Sequence, residues 1–310
     1  MARQSLQYRL CTEALRDVTT DRTAVSYKRS IKQFVAWERA NPPAHAQDPA
    51  ERVQRWERAL ERAGASPSTI HTKLAPVCKG FKISMRDVKH PRRTADRITR
   101  GRRPDVNQQG RAELENSRFS DSVTLARASG LRRAELGKVA SADYVRDESG
   151  YPCLRVRGKG GKLQLQRILP AHQQEVEELA KYRFDFFDES VPMLGADEMG
   201  SHVNYHSIRA DVAREAYAYY AERLRTEPEY REQLRRELVA RYDAYHRAGA
   251  GERQRFIESS CGVYKLRGAN AEKARAAGRP VEYDRTALLA VSVFHLSHWR
   301  LDVTVTNYMV

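Results

Sequence analysis

Between His90 and Asp105 the chain reads HPRRTADRITRGRRPD. Prolines stand near both ends, a glycine lies between them, and no apolar residue recurs at helix or strand spacing. Such a run cannot bury a face against a core, so whatever folds on either side must fold as its own body. The expected division is a first domain over residues 1–89, a basic linker over 90–106 and a second domain over 107–310. The chain has 310 residues, enough for two cores. Charge follows the same division. Residues 1–110 carry 23 Lys and Arg against 11 Asp and Glu, whereas the rest carries 32 against 29. From Lys73 to Arg103 there are 11 basic and two acidic residues. A net charge of +15 concentrated at one end points to a polyanion, most often nucleic acid. The linker is expected to track a phosphate backbone; its ordinary reading is a solvated basic tether.

Before the linker, apolar residues recur at helical spacing. Thr23, Tyr27, Ile31 and Phe34 share one face with Trp37 nearby, Val53, Trp56 and Leu60 form a second stripe, and Ile70, Leu74, Val77 and Phe81 a third. Gly64 ends the second helix, and Ser66-Pro67 supplies a cap and a first-turn proline for the third. The aromatic residues in these stripes read as core. Lys73, Lys79 and Lys82 stay on the polar side. With Arg92, Arg93, Arg100, Arg102 and Arg103 they make the expected DNA-binding set.

The second part is mixed. Residues 117–139 read as helix broken at Ser129-Gly130. CLRVRGKGGKLQLQRILP, residues 153–170, reads as a β-hairpin around a Gly-rich turn. From 171 onward the pattern is mostly helical, with a long, highly charged stretch from Glu222 to Arg255. The expected fold class is mainly α with a small β-hairpin or sheet. No apolar run approaches the ~18 residues that span a bilayer, and MARQSLQYRL has no secretory h-region. Cys11, Cys78, Cys153 and Cys261 are widely separated and form no CxxC pair. This argues against a zinc ribbon or disulfide framework and fits a reduced cytosol, so a cytoplasmic, nucleoid-associated protein is expected.

Four segments carry candidate chemistry. ASGLRRAEL holds Arg132, Arg133 and Glu135. GKGGK offers Lys159 and Lys162 at a hairpin tip. YHSIRADVA puts His206 and Arg209 three residues apart, on one helical face. LSHWRLDVTVTNYMV holds His298, Trp299 and Tyr308. Arginines, a lysine, histidines and a tyrosine suit metal-free phosphoryl transfer at a phosphodiester. Guanidinium groups meet the charge that builds on non-bridging oxygens with paired, planar donors. A tyrosine hydroxyl, with a free pKa near ~10, needs cations and a base beside it to attack. A lysine can protonate the leaving 5′ oxygen. Each segment alone has an ordinary reading as a helix start, a tight turn, a solvated helix face or a terminal aromatic. GKGGK lacks the P-loop pattern, and no carboxylate cluster of the two-metal type occurs.

Taken together and in this order, ASGLRRAEL, VRGKGGKLQLQRILP, HSIR and LSHWRLDVTVTNY resemble the tyrosine recombinases of the phage-integrase type. The resemblance implies a helical core-binding domain followed by an α+β catalytic domain. It also implies a site of Arg132 with Glu135 as its acidic support, Lys159, His206, Arg209, His298 and the nucleophile Tyr308. The register of GLR favours Arg132 over Arg133, and Lys162 is an alternative to Lys159. The slot before the tyrosine stays open. The LSH context favours His298, whereas Trp299 lies about nine residues from Tyr308, a spacing many relatives use; His295 is a weaker candidate expected in the core.

The implied activity is site-specific recombination of double-stranded DNA at attachment sites through a 3′-phosphotyrosyl intermediate, without metal, ATP or other cofactor. The implied assembly is a homo-tetramer on synapsed DNA, with accessory DNA-bending or excisionase proteins as further partners and no membrane association. A type IB topoisomerase shares the chemistry, and a non-catalytic DNA-binding regulator would need only the basic first domain. Two features depart from the pattern. The interval from Arg209 to His298 is much longer than in compact relatives, with a helical insertion expected over about 217–283. The chain also stops two residues after Tyr308, where many relatives continue into a tail that packs on a neighbouring protomer.

Overall fold

The computed structural model describes residues 4–45, 47–92, 117–158, 161–186, 188–200, 203–246 and 249–309. The chain divides into two compact units, within residues 1–100 and 101–310. Most of the 90–106 linker lies outside the described residues, as do Lys159, Arg93, Arg100, Arg102 and Arg103.

The first unit contains four helices, α1 (Leu6–Leu15), α2 (Asp21–Ala40), α3 (Pro49–Arg62) and α4 (Pro67–Phe81). Their starts follow from capping chemistry. Ser5 and Ser66 accept the backbone N–H groups of Tyr8 and Thr69, and Asp48 with Glu51 forms a reciprocal capping box ahead of α3. Gly64, at φ +72°, turns the chain between α3 and α4. The apolar stripes converge on Leu10, Ile31, Phe34, Val53, Trp56, Ile70, Leu74 and Val77. Phe34 meets Trp56 and Phe81 edge-on at 5.3 and 5.7 Å. On the polar side Lys79 pairs with Asp17 at 3.6 Å and Lys82 with Glu13 at 3.3 Å. Lys73 is half-buried and Arg92 exposed.

The second unit begins with α5 (Ser120–Ser129), which ends at Gly130 in the left-handed region, and the short α6 (Arg133–Leu136). An antiparallel sheet follows in the order β1 (Tyr144–Arg146), β2 (Pro152–Arg157) and β3 (Leu163–Arg167), with Val145 opposite Cys153 and Arg155 opposite Leu165. Alternation along β2 sends Leu154 and Val156 inward and Arg155 and Arg157 outward. The hairpin is closed where Gly158 N–H meets the Lys162 carbonyl at 2.8 Å. Helices α7 (Gln173–Phe186) and α8 (Tyr205–Thr226) lead into α9 (Tyr230–Tyr245) and α10 (Ala250–Ser259). Then come β4 (Val263–Lys265), α11 (Gly268–Ala276), β5 (Glu282–Asp284) and α12 (Arg285–Ala290). A π-type turn, Val291–His295, extends α12. The short α13 (Leu301–Thr304) runs into a second π-type turn, Val305–Met309.

Two expectations about the long interval are corrected. The charged stretch is three helices rather than one, and β4 pairs with β5 as a second antiparallel sheet inside it. The interval is also not a solvated appendage: Tyr230, Leu234, Leu238, Phe256, Ala274 and Tyr283 belong to the same core as Leu125, Leu154 and Val212. Residue 217, taken as its start, falls in the middle of α8.

The charge on α9 is partly internal. Arg241, 2% exposed, donates to Asp147 Oδ2 at 2.8 Å and to the Leu165 carbonyl at 2.8 Å. Arg167 bridges the same Asp147 oxygen at 2.6 Å and Glu237 Oε2 at 2.8 Å. Both guanidinium groups lie over the Phe294 ring, at 3.7 Å for Arg167 and 5.2 Å for Arg241. Leu165 N–H donates to Tyr245 Oη at 3.0 Å. Thus α9 satisfies the outer edge of β3, which a free edge strand would leave to solvent.

Candidate active site

Tyr308 lies in the second π-type turn and is 4% exposed. Its hydroxyl lies 3.0 Å from His298 Nε2, and Arg209 Nε donates to it at 3.3 Å. The His298 and Tyr308 rings are stacked at 5.6 Å, and the His206 ring sits 5.7 Å from Tyr308. The Tyr308 carbonyl accepts from Arg214 Nη1 at 2.9 Å, which fixes the turn from its other end.

Arg209 is 1% exposed on α8. Nη1 donates to the Gly130 carbonyl and Nη2 to the Leu296 carbonyl at 2.6 Å. Gly130 offers that carbonyl because its φ of +64° turns the chain sharply at the end of α5. A Cβ there would stand 3.0 Å from Val212 Cγ1. Burial lowers the Arg209 pKa from the ordinary guanidinium value and nearby Arg132 adds to this, while the Tyr308 hydroxyl opposes it.

Arg132 stands at the start of α6. Glu135, buried one turn later, accepts both its backbone N–H at 2.8 Å and its Nη1 at 2.6 Å. The Arg132 side chain nevertheless keeps 36% of its surface exposed, so its guanidinium is oriented and reachable. Its neighbour Arg133 turns away and donates to the Met199 carbonyl at 3.0 Å. Lys162 is exposed at the hairpin tip. A cleft of about 490 Å³ beside the sheet, lined by Lys138, Asp143, Arg155, Arg157 and Leu163, contains none of the motif residues.

The segment that carries His298 is held in an unusual backbone. Ser297 and Trp299, on either side of it, have φ of +52° and +60°. The left-handed region costs a non-glycine residue about 1–2 kcal/mol. Ser292, fully buried, repairs the local hydrogen bonding: its carbonyl accepts His298 N–H at 2.9 Å and its hydroxyl accepts Arg300 N–H at 3.0 Å. Burial, reinforced by Arg209, Arg132, Arg300 and His206, holds the His298 pKa at about 3, so the ring is neutral at pH 7.

The adjacent Trp299 is directed elsewhere. Its ring meets His246 edge-on at 4.5 Å and lies about as near Tyr245, Tyr242 and Phe256, at 5.9, 6.1 and 6.1 Å. His295 is 1% exposed and pairs through Nε2 with Tyr220 Oη at 3.0 Å, remote from solvent.

The structure therefore brings Arg132, Glu135, His206, Arg209, His298 and Tyr308 together and leaves Arg133, His295 and Trp299 out of contact with the Tyr308 hydroxyl. Sequence reasoning missed Ser292, Arg214 and the Gly130 carbonyl. A lone serine inside the apolar run ALLAVSVFHL was a readable signal for the first; nothing in the motifs marks Arg214. Among the described residues no group of three His, Cys, Asp or Glu side chains converges as metal ligands do, and no helix is long and apolar enough to cross a membrane.

No family model and no curated protein matches the chain. Among solved structures it is similar to the XerA recombinase, with 14% identity and a TM-score of 0.28 over 68% of this chain and 83% of that one. It is also similar to the Tn1549 transposon integrase in complex with circular intermediate DNA, with 12% identity and a TM-score of 0.45 over 99% of this chain and 95% of that one. The same integrase in complex with transposon right end DNA aligns with 12% identity and a TM-score of 0.42 over 98% and 95%.

Proposed function

We propose that the protein is a site-specific DNA recombinase that breaks and rejoins strands through a 3′-phosphotyrosyl intermediate. The observation that carries this reading is the Tyr308 hydroxyl held between His298 Nε2 at 3.0 Å and Arg209 Nε at 3.3 Å. Tyr308 Oη attacks the scissile phosphorus, and the bond from phosphorus to the 5′ oxygen breaks. The phenolic proton passes to His298 Nε2, which is neutral and able to receive it. An arriving phosphodiester offsets the cations that depress this histidine, so its basicity rises as the proton moves. Lys159 supplies a proton to the leaving 5′ oxygen. A guanidinium has five N–H donors, so the three bonds that fix Arg209 leave two for a phosphate oxygen. Arg132, oriented by Glu135 and still reachable, meets the same charge from the solvent side. His206, exposed beside the tyrosine, holds the phosphate or assists proton transfer. The reverse attack by a 5′-hydroxyl of a partner duplex completes strand exchange. The phosphotyrosyl ester retains the bond energy.

The first unit and the linker grip the DNA backbone in this reading, through Lys73, Arg92, Arg93, Arg100, Arg102 and Arg103. Lys79 and Lys82 join them by giving up their exposed partners Asp17 and Glu13, which costs little at a surface.

The test uses a pool of nicked duplexes with randomised sequence, in which cleavage beside the nick releases a short strand and traps the adduct. Wild type should give denaturant-resistant protein–DNA adducts with a 3′ linkage, and Tyr308→Phe none. No wild-type adduct, or as many with Tyr308→Phe, overturns the reading. Adding a partner strand with a free 5′-hydroxyl should give transfer to it; resealing of the original strand alone would favour a topoisomerase. Binding should weaken steeply with salt.

A further inference from the structure

We propose that Trp299 and the aromatic box that receives it, Tyr242, Tyr245, His246 and Phe256, position His298 against Tyr308, so that the long interval between Arg209 and His298 is a working part of the active site. The proposal rests on the reading of Tyr308 as the nucleophile and His298 as its partner, and assigns to that site a set of positioning residues that its motifs do not include.

His298 is flanked by Ser297 and Trp299, both in the left-handed region without being glycine. A backbone of this kind persists only where the surroundings over-determine it. Ser292 fixes the backbone at 298 and 300, but nothing in that pair of bonds selects which side chain faces Tyr308. The box does. Its four rings all come from α9, its C-terminal end and α10. Tyr242 is sandwiched between His246 at 4.4 Å, 15° from parallel, and Phe256 at 4.2 Å, 19° from parallel. The Trp299 indole closes this stack edge-on against His246. With the indole seated, the preceding residue is turned to the opposite side, where His298 Nε2 meets the tyrosine hydroxyl. The box is itself anchored: Arg241 and Tyr245 on α9 bind Asp147 and both backbone groups of Leu165. The chain of contacts runs from the sheet through α9 to Trp299 and from there to His298.

A double-mutant cycle on the full chain tests this, read as the single-turnover rate of adduct formation on the nicked pool at saturating protein. Misplacing a reacting group by about 1 Å costs about 100-fold. Trp299→Ala should therefore slow adduct formation by roughly 10- to 100-fold while DNA affinity stays within about twofold. Trp299→Phe, which still fills the box, should stay within about fivefold of wild type. Tyr242→Leu, which opens the box without touching residues 296–300, should reproduce the slow rate. In a His298→Ala background, Trp299→Ala should add less than about a further twofold, because the group it positions is gone. A Trp299→Ala penalty that persists undiminished in that background, or a normal rate with Tyr242→Leu, overturns the positioning role. Both leave the recombinase reading standing, whereas a wild type that forms no adduct removes both.

Discussion

Asp147 is the hinge of the internal ion network, and its removal should expose how firmly α9 is joined to the sheet. Its side chain is fully buried. Oδ2 accepts from Arg167 and Arg241, and Oδ1 accepts the backbone N–H groups of Ser149 and Tyr151 at 3.0 Å each. Arg167, Arg241, Asp147 and Glu237 form a neutral quartet. Asp147→Asn preserves shape and leaves one buried positive charge uncompensated, a change that costs about 3–5 kcal/mol. Arg241→Met alone leaves a net negative charge and should cost a similar amount. The double substitution restores neutrality, so its cost should fall short of the sum by about 2 kcal/mol. Native-state hydrogen exchange on peptides from β2, β3 and α9 reads this directly. A loss of 3–5 kcal/mol accelerates exchange by roughly two to three and a half powers of ten, at about 1.4 kcal/mol per decade. Acceleration under tenfold with Asp147→Asn, or two losses that simply add, would refute the account of α9 as electrostatically fastened to the sheet.

Three further outcomes are expected. Ser297→Gly relieves a left-handed φ worth about 1–2 kcal/mol but loosens the unfolded chain by about 0.4–1 kcal/mol, so the melting temperature should hold or rise; a clear fall contradicts the strain at this position. His295, with its pKa held at about 3 first by burial and then by Arg167, refuses a proton that the unfolded chain takes up near pH 6.5. Its contribution is complete above that pH and is lost as pH falls toward 3, by about 2 kcal/mol between pH 7 and 5. Urea titrations at the two pH values should show that loss and His295→Gln should shrink it. Gly80→Ala would put a Cβ 2.8 Å from the Leu10 carbonyl oxygen, where α1 and α4 touch, and should cost about 1–3 kcal/mol. Exchange should quicken in α1 and α4 and stay unchanged in α8.

The helices of the first unit were readable because each carries its own start signal, as Ser66-Pro67 and Asp48 with Glu51 do. The β2–β3 hairpin was readable from alternation around GKGGK, and the Ser129-Gly130 break from the glycine. What escaped was whatever depends on distant partners. Arg241 and Glu237 look like surface charges on a polar helix, because their partners Asp147 and Arg167 lie in the sheet, 94 and 70 residues away. β4 and β5 are three residues each, too short to show a period. His298 and Trp299 are adjacent in sequence, and only the left-handed backbone on either side and the box from α9 and α10 determine which meets Tyr308.

The turn that carries Tyr308 has a genetic consequence. A π-type turn is what an α-helix becomes when one residue is added to it. Removing a single residue from 305–307 would let Val305–Met309 wind as an ordinary helix and swing the tyrosine by about 100° around the axis. Arg132, His206, Arg209, His298 and Tyr308 would all still be encoded, in order, in a protein whose proposed nucleophile faces the wrong way. A one-codon deletion can thus silence such a gene while leaving every catalytic motif intact to inspection, and the spacing between α13 and Tyr308 carries as much information as the tyrosine itself.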